Sequence, residues 1–303
     1  MTASSLTASF MNASLRLGKA STRTREERHA TFQELERFAK NKRFNNLTPA
    51  TLTLRQLKQI IKEWQDRGVS ARSIQNRLSH LRAALKGVGL SAKAQAPEWS
   101  NSALGVQSPP NARVGKHRVV TDSELRAAQS RAADAGERGR EFLVLSELQR
   151  CIGLRASEAV QAGQSLTSWQ RALQAGRPLD VIYGTKGGRP RATFVPEALR
   201  QRAREAVAAA LQLAAEREDG RLVDAVSLQS ARDRYRGACA AFGLKGEVAS
   251  HGLRYAFAHD RFRAYLQEGI ARGEALRRLS CDLGHGDGRG RYVKMIYLRG
   301  FEE

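Results

Sequence analysis

Only residues 179–195 of this 303-residue chain carry a β signature. The other patterned segments read as helices, most of them with apolar residues at three- and four-residue spacing, the period of a helix with one buried face. In the exceptional stretch, Val181 to Gly184 and Ala192 to Pro196 flank Thr185-Lys186-Gly187-Gly188-Arg189-Pro190-Arg191. Two β-prone runs around a Gly-Gly turn predict a hairpin. The chain is therefore expected to be mainly α with a small β-hairpin or sheet.

Four segments follow from the pattern. Residues 1–23, rich in Ser and Thr, are expected as a flexible arm. Residues 24–104 are expected as a helical bundle. Thr24 with Glu27 suggests a capping box opening its first helix, which carries Phe32, Leu35 and Phe38. A second helix starts after Thr53, with Leu57, Ile60, Ile61 and Trp64 on one face and Gly68 ending it. A third follows Ser70 and buries Ile74, Leu78, Leu81 and Leu85. Residues 105–118, centred on Ser108-Pro109-Pro110, have no periodicity and read as a linker. The second domain, 119–303, opens with Thr121 and Glu124 as another capping box. It continues through a helix at 140–152 that is apolar around most of its circumference, interrupted at Gly153.

Charge narrows the partner. Residues 1–117 hold 20 Lys and Arg against 7 Asp and Glu, net +13; the rest hold 31 against 23, net +8, for a total of +21. Basic charge in both halves favours a polyanion, because each neutralised phosphate releases condensed counterions. Aromatic residues make up only 6 %, too few for a binder that stacks single-stranded bases, so duplex DNA is the expected partner. On the third helix, Arg72, Gln75, Asn76, Ser79 and Arg82 lie opposite the apolar face, where they are candidates for phosphate and base contacts. No run reaches the roughly 18 apolar residues of a membrane span. The first twenty residues have no continuous apolar segment of the kind a secretory signal needs. Cys151, Cys239 and Cys281 are too dispersed for a disulfide framework or a zinc knuckle. These features point to a cytoplasmic, nucleoid-associated protein.

Singly, the chemical candidates are ordinary. Arg155 follows a buried helix, where an ion pair with Glu158 would account for it. Lys186 sits at a turn, and His251 and Arg254 share one helix face. His285 follows a glycine, and Tyr297 lies in an apolar run. No metal-ligand spacing, nucleotide-binding loop or dinucleotide fingerprint is present. The order is more telling: Gly153-Leu154-Arg155-Ala156-Ser157-Glu158, then Thr185-Lys186-Gly187-Gly188, then His251-Gly252-Leu253-Arg254-Tyr255, then Leu283-Gly284-His285, then a tyrosine.

That series resembles the tyrosine recombinase (phage integrase) family from about residue 120 to 303, and the helical first half resembles the family's core-binding domain. The resemblance implies a helical core-binding domain joined to an α+β catalytic domain. It also implies a site-specific recombinase that cleaves and rejoins duplex DNA through a 3′-phosphotyrosine, without metal, ATP or other cofactor. By resemblance, Arg155 and Arg254 clamp the phosphate and Lys186 protonates the leaving 5′-oxygen. His251 assists proton transfer at the tyrosine, and His285 hydrogen-bonds the phosphate. The family commonly places its nucleophile nine residues after the Leu-Gly-His histidine, but position 294 is lysine here. Tyr292 and Tyr297 bracket it. Tyr297 is preferred, because the glycine-rich stretch 286–290 can absorb a three-residue insertion. The implied assembly is a homotetramer in the synaptic complex and a monomer when free. A catalytically degenerate relative serving as a DNA-binding regulator or architectural protein is the alternative.

Overall fold

The computed structural model describes residues 5–18, 20–44, 46–107 and 117–302. It divides into two compact units, Met1–Ala112 and Arg113–Glu303. Residues 108–116, most of the expected linker, lie outside the described residues.

The first unit is helical throughout: α1 (Leu6–Leu15), α2 (Thr22–Asn41), α3 (Leu54–Asp66), α4 (Ala71–Gly87) and α5 (Ser91–Gln95). Helix α1 corrects the expectation of a flexible arm. Ser5 caps it, Phe10 is fully buried against the Phe32 ring at 5.3 Å, and Thr7 Oγ1 donates to Glu36 at 2.6 Å. Small residues make the contact possible. A Cβ on Gly87 would stand 1.8 Å from the Ala13 carbonyl oxygen, so α1 and α4 meet backbone to backbone. Helix α2 also starts earlier than expected. Ser21, not Thr24, is its cap, since Ser21 Oγ accepts from the Thr24 amide and Glu27 pairs with Arg23 instead of reaching back. Helices α3 and α4 follow the expected pattern, with a Thr53–Gln56 capping box on α3 and Ile74, Leu78, Leu81 and Leu85 buried on α4.

The second unit runs α6 (Asp122–Ala132), α7 (Gly136–Ile152), α8 (Ala156–Val160), α9 (Leu166–Gln174), β1 (Leu179–Val181), β2 (Arg191–Thr193), α10 (Glu197–Ala215), α11 (Leu228–Ala241), α12 (His251–Gln267), α13 (Arg272–Asp282) and α14 (Gly290–Tyr297). Helix α6 is capped by the Thr121–Glu124 box. Helix α7 is the hub, packed against α6, α10, α11 and α12. The strands pair antiparallel, Leu179 with Thr193 and Val181 with Arg191. Strand β1 ends at Val181 rather than continuing to Gly184. The chain there turns toward α8, where Ser157 Oγ donates to the Gly184 carbonyl at 2.8 Å. Gly184 has φ +74°, and a Cβ on it would lie 2.2 Å from the Ser157 carbonyl oxygen. Among the described residues no helix is long and apolar enough to cross a membrane.

Candidate active site

Helix α7 stops at Gly153, which adopts φ +67° and is pressed so closely by Phe257 that a Cβ would lie 2.3 Å from its ring. Only glycine allows that turn. It aims the Gly153 carbonyl back across the domain and delivers Arg155 to the start of α8. Helix α12 packs beside α7 and supplies His251 at its first position, then Arg254 and Tyr255. The turn after α13 supplies Leu283, Gly284 and His285, and α14 ends on Tyr297.

These side chains converge. The Arg254 guanidinium is completely buried and donates to the carbonyls of Gly153 and Leu283. Arg155 Nη2 donates to that same Leu283 oxygen at 3.1 Å, so one carbonyl ties the two arginines together. Between them lies Glu158, itself fully buried. Its carboxylate accepts from Arg155 Nη1 at 2.6 Å, from the Arg155 amide at 2.8 Å and from Arg191 at 2.9 Å, with Arg254 at 3.6 Å. Burial by itself would raise the Glu158 carboxyl, but the guanidiniums of Arg191, Arg254 and Arg155 outweigh it and hold it at about 2. Burial, with Arg191 and Arg155 nearby, brings Arg254 down to about 10. The Asp282 carboxylate is committed elsewhere, to Arg261 at 3.1 Å and the Tyr265 hydroxyl at 2.7 Å. Three guanidiniums thus surround one carboxylate, a surplus of positive charge that leaves Arg155 and Arg254 suited to an anion while Arg191 is taken up by Glu158 and two backbone carbonyls.

Tyr297 closes the site. Its hydroxyl and His285 Nε2 share a hydrogen bond of 3.0 Å, and the Arg254 guanidinium carbon lies 5.7 Å from its ring centre. Tyr255 and His251 stand at 4.8 and 5.9 Å, ring to ring. His259 Nε2 donates to the Tyr297 carbonyl at 3.0 Å and fixes the end of α14. His285, expected on the phosphate, is the one bonded to the hydroxyl, whereas His251 faces the ring. Tyr292 is half-buried and stacks near His285 at 5.1 Å, its hydroxyl pushed up first by burial.

Burial, then the charges of Arg254, His117 and Arg155, lower His251 to about 3, so its imidazole is neutral at pH 7. An unfolded histidine takes up its proton near 6.5. Below that pH the unfolded chain gains a proton that the folded chain refuses. The stability linked to His251 is therefore complete above about pH 6.5 and falls toward pH 3, by up to about 1.4 kcal/mol per pH unit. Urea unfolding of wild type and His251→Gln should show their stability difference shifting against the wild type between pH 6.5 and 4. A constant difference would mean that His251 is not held neutral.

Arg155, His251, Arg254, His285 and Tyr297 are thus brought together from four segments. Lys186 lies in a turn of 3-10 helix, Lys186–Gly188, between β1 and β2; its side chain lies outside the described residues. Arg191 and His259 were not singled out from the sequence. Glu158 was visible only as an ion-pair partner three residues after Arg155. The proposed DNA-facing set on α4 is split. Arg72, Asn76 and Ser79 are exposed. Gln75 donates to the Val106 carbonyl at 3.0 Å, and Arg82 donates to Asn101 at 2.9 Å and to the Trp99 carbonyl. Residues 97–106 fold over that part of α4 and use these two side chains internally.

Two family models match the chain, one described as integrase over residues 110–260 and one as phage integrase, N-terminal, over residues 4–94. No curated protein matches it. Its fold is similar to that of a lambda integrase tetramer bound to a Holliday junction, with 17 % identity, 97 % of this chain and 77 % of that one covered, and TM-score 0.61. It is also similar to the Tn1549 transposon integrase in complex with a circular intermediate DNA, at 14 % identity, 99 % and 96 % coverage and TM-score 0.59. A XerH site-specific recombinase bound to a palindromic difH substrate gives 14 % identity, 92 % and 76 % coverage and TM-score 0.54.

Proposed function

The chain belongs to the phage integrase (tyrosine recombinase) family, and from that premise we propose that it cleaves and rejoins duplex DNA through a phosphotyrosine at Tyr297. The observation that carries the reading is the Tyr297 hydroxyl, bonded to His285, on a ring 5.7 Å from the Arg254 guanidinium, which shares one carbonyl acceptor with Arg155. Tyr297 Oη attacks the phosphorus while its proton passes to the imidazole of His285. Arg155 and Arg254 hold the non-bridging oxygens, whose negative charge rises in the transition state. The bond from phosphorus to the 5′-oxygen breaks, and Lys186 protonates that oxygen as it leaves. The phosphotyrosine keeps the bond energy, so a 5′-hydroxyl from another strand can reverse the step.

The same likeness supports four copies acting on a four-way junction, with the basic first unit gripping the duplex. Arg72 on α4 is an expected phosphate contact. Arg72→Ala should weaken binding to all sequences alike and lower the slope of log affinity against log salt by about 1. Fluorescence anisotropy over a salt series measures this, and an unchanged slope removes Arg72 from the interface.

The reading is tested with a nicked suicide duplex carrying the element's end sequence, resolved on a denaturing gel. A covalent protein–DNA band is the expected result. Tight, specific binding without that band would instead favour a DNA-binding regulator that has lost its chemistry.

A further inference from the structure

Strand β2 brings a third guanidinium into the site, and the cleavage chemistry does not use it. Arg191 is 6 % exposed. Its Nη2 donates to Glu158 at 2.9 Å and to the Gly153 carbonyl at 3.2 Å, while its Nη1 donates to the Asp282 carbonyl. Stability does not explain it. Two buried cations and a partly exposed third around one carboxylate repel one another, and an apolar side chain of similar volume in such a place is often neutral or better. What the side chain does is join segments. It links the Gly153–Glu158 stretch that carries Arg155, the turn before His285, and the hairpin. The turn is fitted around it, since a Cβ on Gly284 would lie 2.6 Å from Arg191 Cδ. The hairpin's strands pair over only three residues each, and apart from the Ser157–Gly184 bond on the β1 side residues 182–190 connect them without further pairing, so Arg191 is the fixture on the β2 side. Lys186 belongs to that connection.

We propose that Arg191 is a positioning residue for leaving-group protonation: it bolts the hairpin that carries Lys186 to the arginine clamp. This rests on the strand-cleavage reading. In that step Tyr297 Oη forms its bond to phosphorus, the bond to the 5′-oxygen breaks, and the Lys186 ammonium gives its proton to that oxygen. The clamp keeps its own bonds, Arg155 and Arg254 to Leu283 and Arg254 to Gly153, so a displaced hairpin starves the leaving group of its proton first.

The test compares two nicked suicide duplexes that differ only in the bridging atom at the scissile phosphate, oxygen in one and sulfur in the other. A thiolate leaves without a proton because a thiol is far more acidic than an alcohol. Arg191→Lys keeps the charge and loses the fork. It should slow single-turnover cleavage of the oxygen substrate about 100-fold and stay within about threefold of wild type on sulfur. Lys186→Ala provides the reference pattern, and Arg191→Met, which keeps volume and relieves the crowding of charge, serves if the lysine variant does not fold. Equal slowing on both substrates, or no slowing on either, overturns the proposal. Wild type that cleaves neither substrate overturns the strand-cleavage reading itself.

Discussion

Tyr297→Phe is expected to abolish the covalent protein–DNA adduct, a loss on the order of 10⁶-fold of the kind seen when a nucleophile is removed. Phenylalanine fills the same space between Tyr255 and His285 and loses one hydroxyl. The protein should fold with a penalty of about 1 kcal/mol for the missing hydrogen bond to His285. Tyr292→Phe is expected to keep the adduct. Its ring lies 6.5 Å from that of Tyr297 and 5.1 Å from that of His285, and no hydrogen bond orients its hydroxyl among the described residues. The two variants are read side by side on the suicide duplex. An adduct that survives Tyr297→Phe and disappears with Tyr292→Phe would move the nucleophile by one and a half helical turns. It would also make the Tyr297–His285 bond a structural one.

Glu158→Ala should cost about 3–5 kcal/mol of folding stability, the range for breaking a buried ion pair by removing one partner. Three guanidiniums would then face one another with only carbonyl oxygens between them. The Arg155 amide would also lose its acceptor at the first turn of α8. Glu158→Gln retains an oxygen for that amide and should lose less. The pH dependence has a definite sign. A carboxyl held at about 2 contributes stability that is complete above its unfolded value near 4.3 and is lost as pH falls toward 2. The gap between wild type and Glu158→Gln should therefore narrow across that window in urea unfolding. A loss below about 1 kcal/mol at pH 7 would mean that the carboxylate behaves as an exposed one.

Most of this site was legible because its parts are short and local. Gly153 through Glu158, His251 through Tyr255 and Leu283 through His285 each present their residues within one turn, and their order along the chain identified them. The helical spacing likewise gave α3, α4 and α7 with their buried faces. Two kinds of feature were not legible. Arg191 looked like one more basic residue in a turn, since what distinguishes it is burial, and burial is set by α8 and the turn after α13. Helix α1 was missed because its sequence has little charge and many small residues. It is stabilised by the close approach of Ala13 to Gly87, which no local pattern reports. That His285 rather than His251 bonds the Tyr297 hydroxyl is of the same kind, since it depends on how far α14 runs before it delivers Tyr297.

The bonds that make the arginine clamp span long stretches of chain, 101 residues from Gly153 to Arg254 and 128 from Arg155 to Leu283. Contacts between distant residues form late, because loop closure costs entropy before they can repay it. A growing polypeptide that has emerged from the ribosome only through α12 already holds Arg155, Lys186, His251 and Arg254. It has no Leu283 carbonyl to join the two arginines and no Tyr297 beside them. Under the proposed chemistry, strand cleavage therefore waits until α13 and α14 have docked.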